Sequence, residues 1–290
     1  MSDSVVGVSR FELTLDELRL LRDHIPGLVL PSFIQTVPAK DEDAAFASLR
    51  DRELIGDTTV PSEADWTESI APAVKFALAL QMTGDFVFQI NAWSPNQTTA
   101  HSSTVTKGVA SGLTALTTTT QPDSLPTTGV VLTLEPVATL ATSLAKLIPS
   151  TDGMPVAPSG TPVTVGLVES RALVAAIRTG DSRVIDAVAA EIHSPGAQEA
   201  LRPLAGPTIA GFRVKVFTPS GGCVYSGDWF LGTTGWLKIS VAASPDPSGS
   251  VTAQSITDTG TVTISAVTAE SIEIELLSLV AEGVRDSYVE

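Results

Sequence analysis

Phe86-Val-Phe-Gln-Ile-Asn-Ala-Trp93 alternates apolar and polar residues between Gly84 and Ser94-Pro95-Asn96, the signature of a half-buried strand. Upstream of it the apolar period is helical. Downstream, residues 94–134 carry only Lys107 and Asp123 as charges and are dense in threonine, a composition that favours strands. A second alternating stretch, Phe212-Arg-Val-Lys-Val-Phe217, occupies the same place in the second half of the chain. The change of period at these two points predicts helices followed by a strand meander, twice.

Working outward, Thr14-Leu-Asp-Glu17 reads as a capping box. It opens a helix whose stripe is Leu15, Leu18, Leu21 and Ile25, stopped by Pro26-Gly27. A second helix is expected over residues 41–55, with Ala44, Ala45, Leu49 and Ile55 inward. A third starts near Asp65 or Ser69, with Pro72 tolerable only in its first turn. After Trp93, strands are expected near residues 98–109, 112–120 and 129–134, with a loop over 121–128 and a helix from Pro136. Residues 149–162 hold four prolines and two glycines and read as a linker at 151–162 between an α+β half at 1–150 and another at 163–290. In the second half, helices are expected over residues 170–178 and 181–193, with a short one from Ser194-Pro195. Strands follow at 212–217, 223–230, 236–241, 251–256 and 261–267, and a last helix begins at Thr268.

The halves read as a divergent repeat. Phe86, Gly112 and Gly129 match Phe212, Gly235 and Gly260, 126, 123 and 131 residues apart, too long a period for a solenoid unit. The expected fold class is therefore α+β with a pseudo-two-fold internal repeat, a central mostly antiparallel sheet and two flanking helical bundles.

Composition bounds the function. A chain of 290 residues, 43% hydrophobic with mean hydropathy +0.26, can bury one large core or two modest ones. Its formal charge of −15 argues against a nucleic-acid partner. One cysteine, Cys223, makes no internal disulfide, and its position on an expected strand suits a small buried hydrophobe. No stretch approaches the roughly 18 uninterrupted apolar residues of a membrane span, and the start lacks the pattern of a secretion signal. The expectation is a cytoplasmic protein.

The catalytic inventory is thin. His24 and His193 fall at expected helix ends, where a donor complements the terminal carbonyls. The acidic clusters sit at helix starts, and neither a nucleophile elbow nor a metal, calcium-loop or phosphate-loop motif occurs. The expectation is a non-enzyme without cofactor or metal. The residues that invite a partner are different. Residues 94–103, uncharged and between two strands, read as a recognition loop containing Asn96, Gln97, Thr98 and His101. Trp93, Trp229 and Trp236 stand at expected strand ends, where an indole serves either the core or a half-exposed contact.

Phe11-Glu-Leu-Thr-Leu-Asp-Glu-Leu18, Leu49-Arg-Asp-Arg-Glu-Leu-Ile-Gly56, Gly129-Val-Val-Leu-Thr-Leu-Glu-Pro136, the restart near Val163 and the closing meander with Trp229 and Trp236 resemble the EspG family of actinobacterial type VII secretion chaperones. The resemblance runs in order through nearly the whole chain, as in a remote member. It implies a cytosolic protein without a catalytic site, which binds the apolar helical tip of a PE–PPE heterodimer. The free protein is expected to be a monomer or homodimer. The Trp-x-Gly and Tyr-x-x-x-Asp/Glu signals of a secreted substrate are missing. Two alternatives stand beside it: an enzyme or small-ligand binder using a cleft between the halves, and a structural homodimer through an exposed sheet edge.

Overall fold

The computed structural model describes residues 7–34, 39–56, 68–118, 127–150, 160–218, 222–242 and 260–287. Residues 121–126 of the loop expected over 121–128, most of the linker, the strand at 251–256 and the helix start near Asp65 lie outside them, whereas Thr127 and Thr128 belong to a strand. The chain is mixed α+β, with eight α-helices among the described residues and a large antiparallel sheet. It divides into two compact units that interleave in sequence. One comprises residues 1–88, 96–140 and 280–290, the other 89–95 and 141–279.

In the first unit, β1 (Ser9–Leu13) leads directly into α1 (Leu15–His24). The capping box forms as the sequence reads: the Thr14 hydroxyl accepts the Glu17 N–H at 3.1 Å, and the Glu17 carboxylate accepts the Thr14 N–H at 2.7 Å. Helix α2 (Glu42–Asp51) is capped by Asp41 and ends earlier than expected, because Glu53 turns into the left-handed region at φ 57°. Ile55 therefore leaves the helix and bridges Ile70. Helix α3 (Pro72–Thr83) has its proline in the first turn, where no N–H is needed. Strands β3 (Gln97–Thr106), β4 (Val109–Thr118) and β5 (Thr127–Pro136) form a meander, and β1 adds to β5, giving the order β1-β5-β4-β3. Helix α4 (Val137–Ala145) follows, with residues 137–140 in this unit. Leu18, Leu21, Leu49, Val74 and Leu78 pack with Leu113, Val130 and Leu132 in one core.

In the second unit, β6 (Val163–Val165) leads into α5 (Leu167–Thr179). The Gly166 N–H is held by the Glu169 carboxylate at 2.8 Å, the half of a capping box that a residue without a side chain can make. Helices α6 (Ser182–Ala190) and α7 (Ala197–Ala200) and a 3₁₀ turn (Arg202–Leu204) follow. His193 lies beyond α6 rather than in its last turn. Strands β7 (Ala210–Phe217), β8 (Cys223–Gly232), β9 (Gly235–Ala242) and β10 (Thr261–Val267) make the second meander, with β6 added to β10. Helix α8 (Ala269–Ser287) follows, with residues 269–279 in this unit. Strand β2 (Phe86–Ser94) precedes β7 in sheet order, with residues 89–94 in this unit.

The two faces of the sheet differ in the second unit. Phe230, Leu237, Ile239, Val262 and Ile264 pack against Leu173, Ala176, Ile177 and Ile185 of the helices. The opposite face is aromatic: Phe212 stacks on Trp229 at 4.6 Å and meets Trp236 edge-on at 5.3 Å. Lys238 lies over Trp229 and pairs with Glu275 of α8, which also accepts the Tyr225 hydroxyl at 2.5 Å.

β1 and β6 are the elements that sequence pattern does not reveal, since five and three residues are too few to show alternation. Each is defined by pairing to the last strand of its own meander.

Candidate functional site

Three sequence-level site assignments change once the strands are placed. The recognition loop expected over residues 94–103 is mostly strand: β2 ends at Ser94, β3 begins at Gln97, and Pro95 and Asn96 alone make the turn. Threonine favours strands, and from Thr99 to Ser103 the segment is covered, so low charge there means burial rather than mobility. His101 is consequently 6% exposed. Its Nδ1 lies 2.7 Å from the Thr114 hydroxyl and its Nε2 2.5 Å from that of Ser103. Gly112 leaves room for the ring, as a Cβ there would come within 3.0 Å of it. Burial pushes the imidazole down to about 4, so at neutral pH it is an uncharged core group and not a partner contact.

Trp229 and Trp236 are likewise interior, at 0% and 2% exposure. Strand β8 continues to Gly232, so Trp229 is not at a strand end. It lies across from Phe212 on one side and Lys238 on the other.

Trp93, Asn96, Gln97 and Thr98 remain exposed. Trp93 is the one that joins a shaped surface. A cleft of about 480 Å³ in the second unit is lined by Asn91, Trp93, Thr208, Arg213, Asp228, Phe230 and the C-terminal end of α5 from Ile177 to Gly180. Gly211 sits beneath the indole, and an added Cβ there would lie 2.8 Å from two Trp93 ring atoms. The glycine lets a large flat ring lie against the strand. Arg213 and Asp228, opposite each other in the β7–β8 register, pair at 2.6 Å. Ile177 belongs to the helical core, so the wall of the cleft is anchored.

The result is an apolar floor with an indole on one side and a paired arginine and carboxylate within it. It can take an apolar side chain and offer polar groups at its margin. Asn96, Gln97 and Thr98 do not line it. Arg178, Thr208, Arg213, Asp228 and Phe230 were not singled out in the sequence. The signal was faint: Gly211 ahead of an alternating strand, and Arg213 and Asp228 placed to meet across a hairpin.

A second hollow, of about 590 Å³, lies in the first unit beside the Ile55–Ile70 bridge and is lined by Arg50, Glu53, Glu68 and Ser69. It presents no aromatic ring. Among the described residues, no group of three or more His, Cys, Asp or Glu could hold a metal ion, and no helix is long and apolar enough to cross a membrane.

No protein-family model and no curated protein matches the chain.

Proposed function

We propose that this protein is a cytoplasmic binding protein of the EspG kind, a chaperone or adaptor that covers the apolar helical tip of a PE–PPE-like type VII secretion client. The cleft of the second unit carries the reading. Its Trp93 indole, Phe230 floor and α5 wall suit an apolar side chain projecting from a helix end. Aromatic anchors of this kind supply much of the energy of protein interfaces. Bound client would be kept soluble by mass action.

A similar order of elements in the two halves supports the EspG-like reading. Each half runs edge strand, an N-cap whose N–H is held by a glutamate three residues on, helices, a four-stranded meander and a helix. Phe86 and Phe212 fall on the first strands of the two meanders, and Gly112 and Gly235 on the third. This shared order of elements is what the reading as a pseudo-two-fold repeat with two helical bundles draws on.

The test is binding of a purified PE–PPE heterodimer, followed by gel filtration and calorimetry. Trp93→Ala is expected to weaken binding by about 2 kcal/mol, roughly thirtyfold, without loss of fold. A well-folded wild-type chain that binds no such heterodimer, or a Trp93→Ala variant that binds undiminished, refutes the proposal.

A small-ligand reading draws on one observation: the Thr208 hydroxyl oxygen, in a residue lining the cleft, is buried without a hydrogen-bond partner. A ligand that raises the Tm of the chain in the absence of client, and not that of Trp93→Ala, would favour it.

A further inference from the structure

Strand β1 is the outermost strand of its sheet among the described residues. The Val137 N–H bonds the Gly108 carbonyl at 2.9 Å and continues the β4–β5 ladder. Odd-numbered residues of β5 therefore turn their peptide groups towards β4 and even-numbered ones towards β1. Phe11 lies opposite Leu132, so Ser9, Phe11 and Leu13 bond to β5, whereas Arg10 and Glu12 direct N–H and C=O outward.

One of these outward groups is occupied from within the chain. The Arg52 Nη1 donates to the Glu12 carbonyl. Its Nη2 meets the Glu17 carboxylate at 2.5 Å, and its Nε reaches the Ser48 carbonyl at 3.3 Å. Glu17 is itself 1% exposed, which ties the guanidinium to the base of α1.

We infer that the outer edge of β1 is a strand-pairing surface for a second copy of this chain, and that Arg52 holds it shut. The edge is complementary to itself in one register. Antiparallel pairing centred on Phe11 sets Arg10 against Glu12 of the second copy, and Glu12 against Arg10, at the positions whose N–H and C=O face out. Pairing centred on Arg10 or on Glu12 places like charges opposite, which is unfavourable. Arg10 and Glu12 pair with each other at 3.2 Å along β1 and stay 62% and 75% exposed, so in this register each exchanges that partner for one on the second copy, while Phe11 and Leu13 face the core. In the favourable register the Glu12 carbonyl must accept the Arg10 N–H of the second copy, and that carbonyl is the one Arg52 takes. An open edge is a known route to association, and an arginine laid across it closes the route at little cost.

The proposal concerns the first unit alone and stands independently of the cleft. Glu17→Gln combined with Arg52→Met removes the guard without leaving a buried carboxylate unpaired, since glutamine also serves at the third position of a capping box. Light scattering after gel filtration is expected to show twice the native mass of the wild-type chain. Adding Arg10→Glu should return the mass to the wild-type value, and Arg10→Glu with Glu12→Arg should restore the doubling. Arg52→Gln, two bonds shorter than arginine, gives up the Glu12 carbonyl while Glu17 keeps its hydrogen bonds from the Thr14 N–H and the Ser48 hydroxyl, and carries the same expectation if the double variant does not fold. Unchanged mass in both unguarded variants overturns the proposal, as does doubling that survives Arg10→Glu alone.

Discussion

Lowering the pH from 7 to 5 should destabilise this protein through one residue, His101. In the folded chain its imidazole is buried between the Thr114 and Ser103 hydroxyls, and burial lowers its pKa from 6.5 to about 4. The unfolded chain therefore takes up the proton first. The stability this neutral histidine contributes is fully present above the unfolded value, and it is lost progressively as pH falls through the window from 6.5 to 4. Linkage over that window amounts to about 2 kcal/mol between pH 7 and pH 5, and about 3 kcal/mol by pH 4. Glu17 does not blur the measurement. Burial would raise its pKa, but the Thr14 N–H, the Ser48 hydroxyl and Arg52 together hold it below 4.5, so its effect falls at more acidic pH. Urea unfolding followed by tryptophan fluorescence, for wild type and His101→Gln at pH 7 and pH 5, isolates the term. The stability difference between the two proteins should shift by about 2 kcal/mol in favour of the variant at pH 5. A difference that does not change with pH would refute the reasoning. A shift of opposite sign would mean that the folded chain holds a charged imidazole with both hydroxyls accepting.

Two further substitutions test the backbone. Lys107 and Gly108 turn the β3–β4 hairpin with φ 43° and 83°, a type I′ geometry that lysine tolerates poorly. Lys107→Asn is expected to stabilise the chain by about 0.5–1 kcal/mol in urea unfolding, and a loss would show that the lysine side chain has a compensating role. At Gly232 a Cβ would lie 1.7 Å from the Pro203 carbonyl oxygen, which is backbone and cannot swing away. Gly232→Ala should cost about 3 kcal/mol or more, and a variant with unchanged stability would show that the 3₁₀ turn moves freely.

Much of the fold was readable without coordinates. Thr14 and Glu17 announce a helix start because a capping box closes within four residues, and the structure forms both of its hydrogen bonds. Asp41 and Asp181 do the same for α2 and α6. Phe86-Val-Phe and Phe212-Arg-Val declare strands by their period. The site was far less readable. Trp93 alone among the three singled-out tryptophans is exposed and lines a cleft, and His101 went from loop to core. A serine- and threonine-rich segment looks the same in sequence whether solvent or another layer covers it.

The residues by themselves determine an α+β chain, its helix starts, the two meanders and the acidic, charge-poor surface chemistry, because period, caps and turn residues act over a few positions. Tertiary structure alone decides which face of a strand is covered and which residues meet. Trp229 becomes core because β8 runs three residues past it and Phe212 lies opposite, whereas Trp93 is left in a cleft because Gly211 makes space for its ring. Arg52 reaches β1, forty residues earlier in the chain, only because α1 and α2 pack together. Such contacts depend on elements far apart in sequence, and no local pattern encodes them.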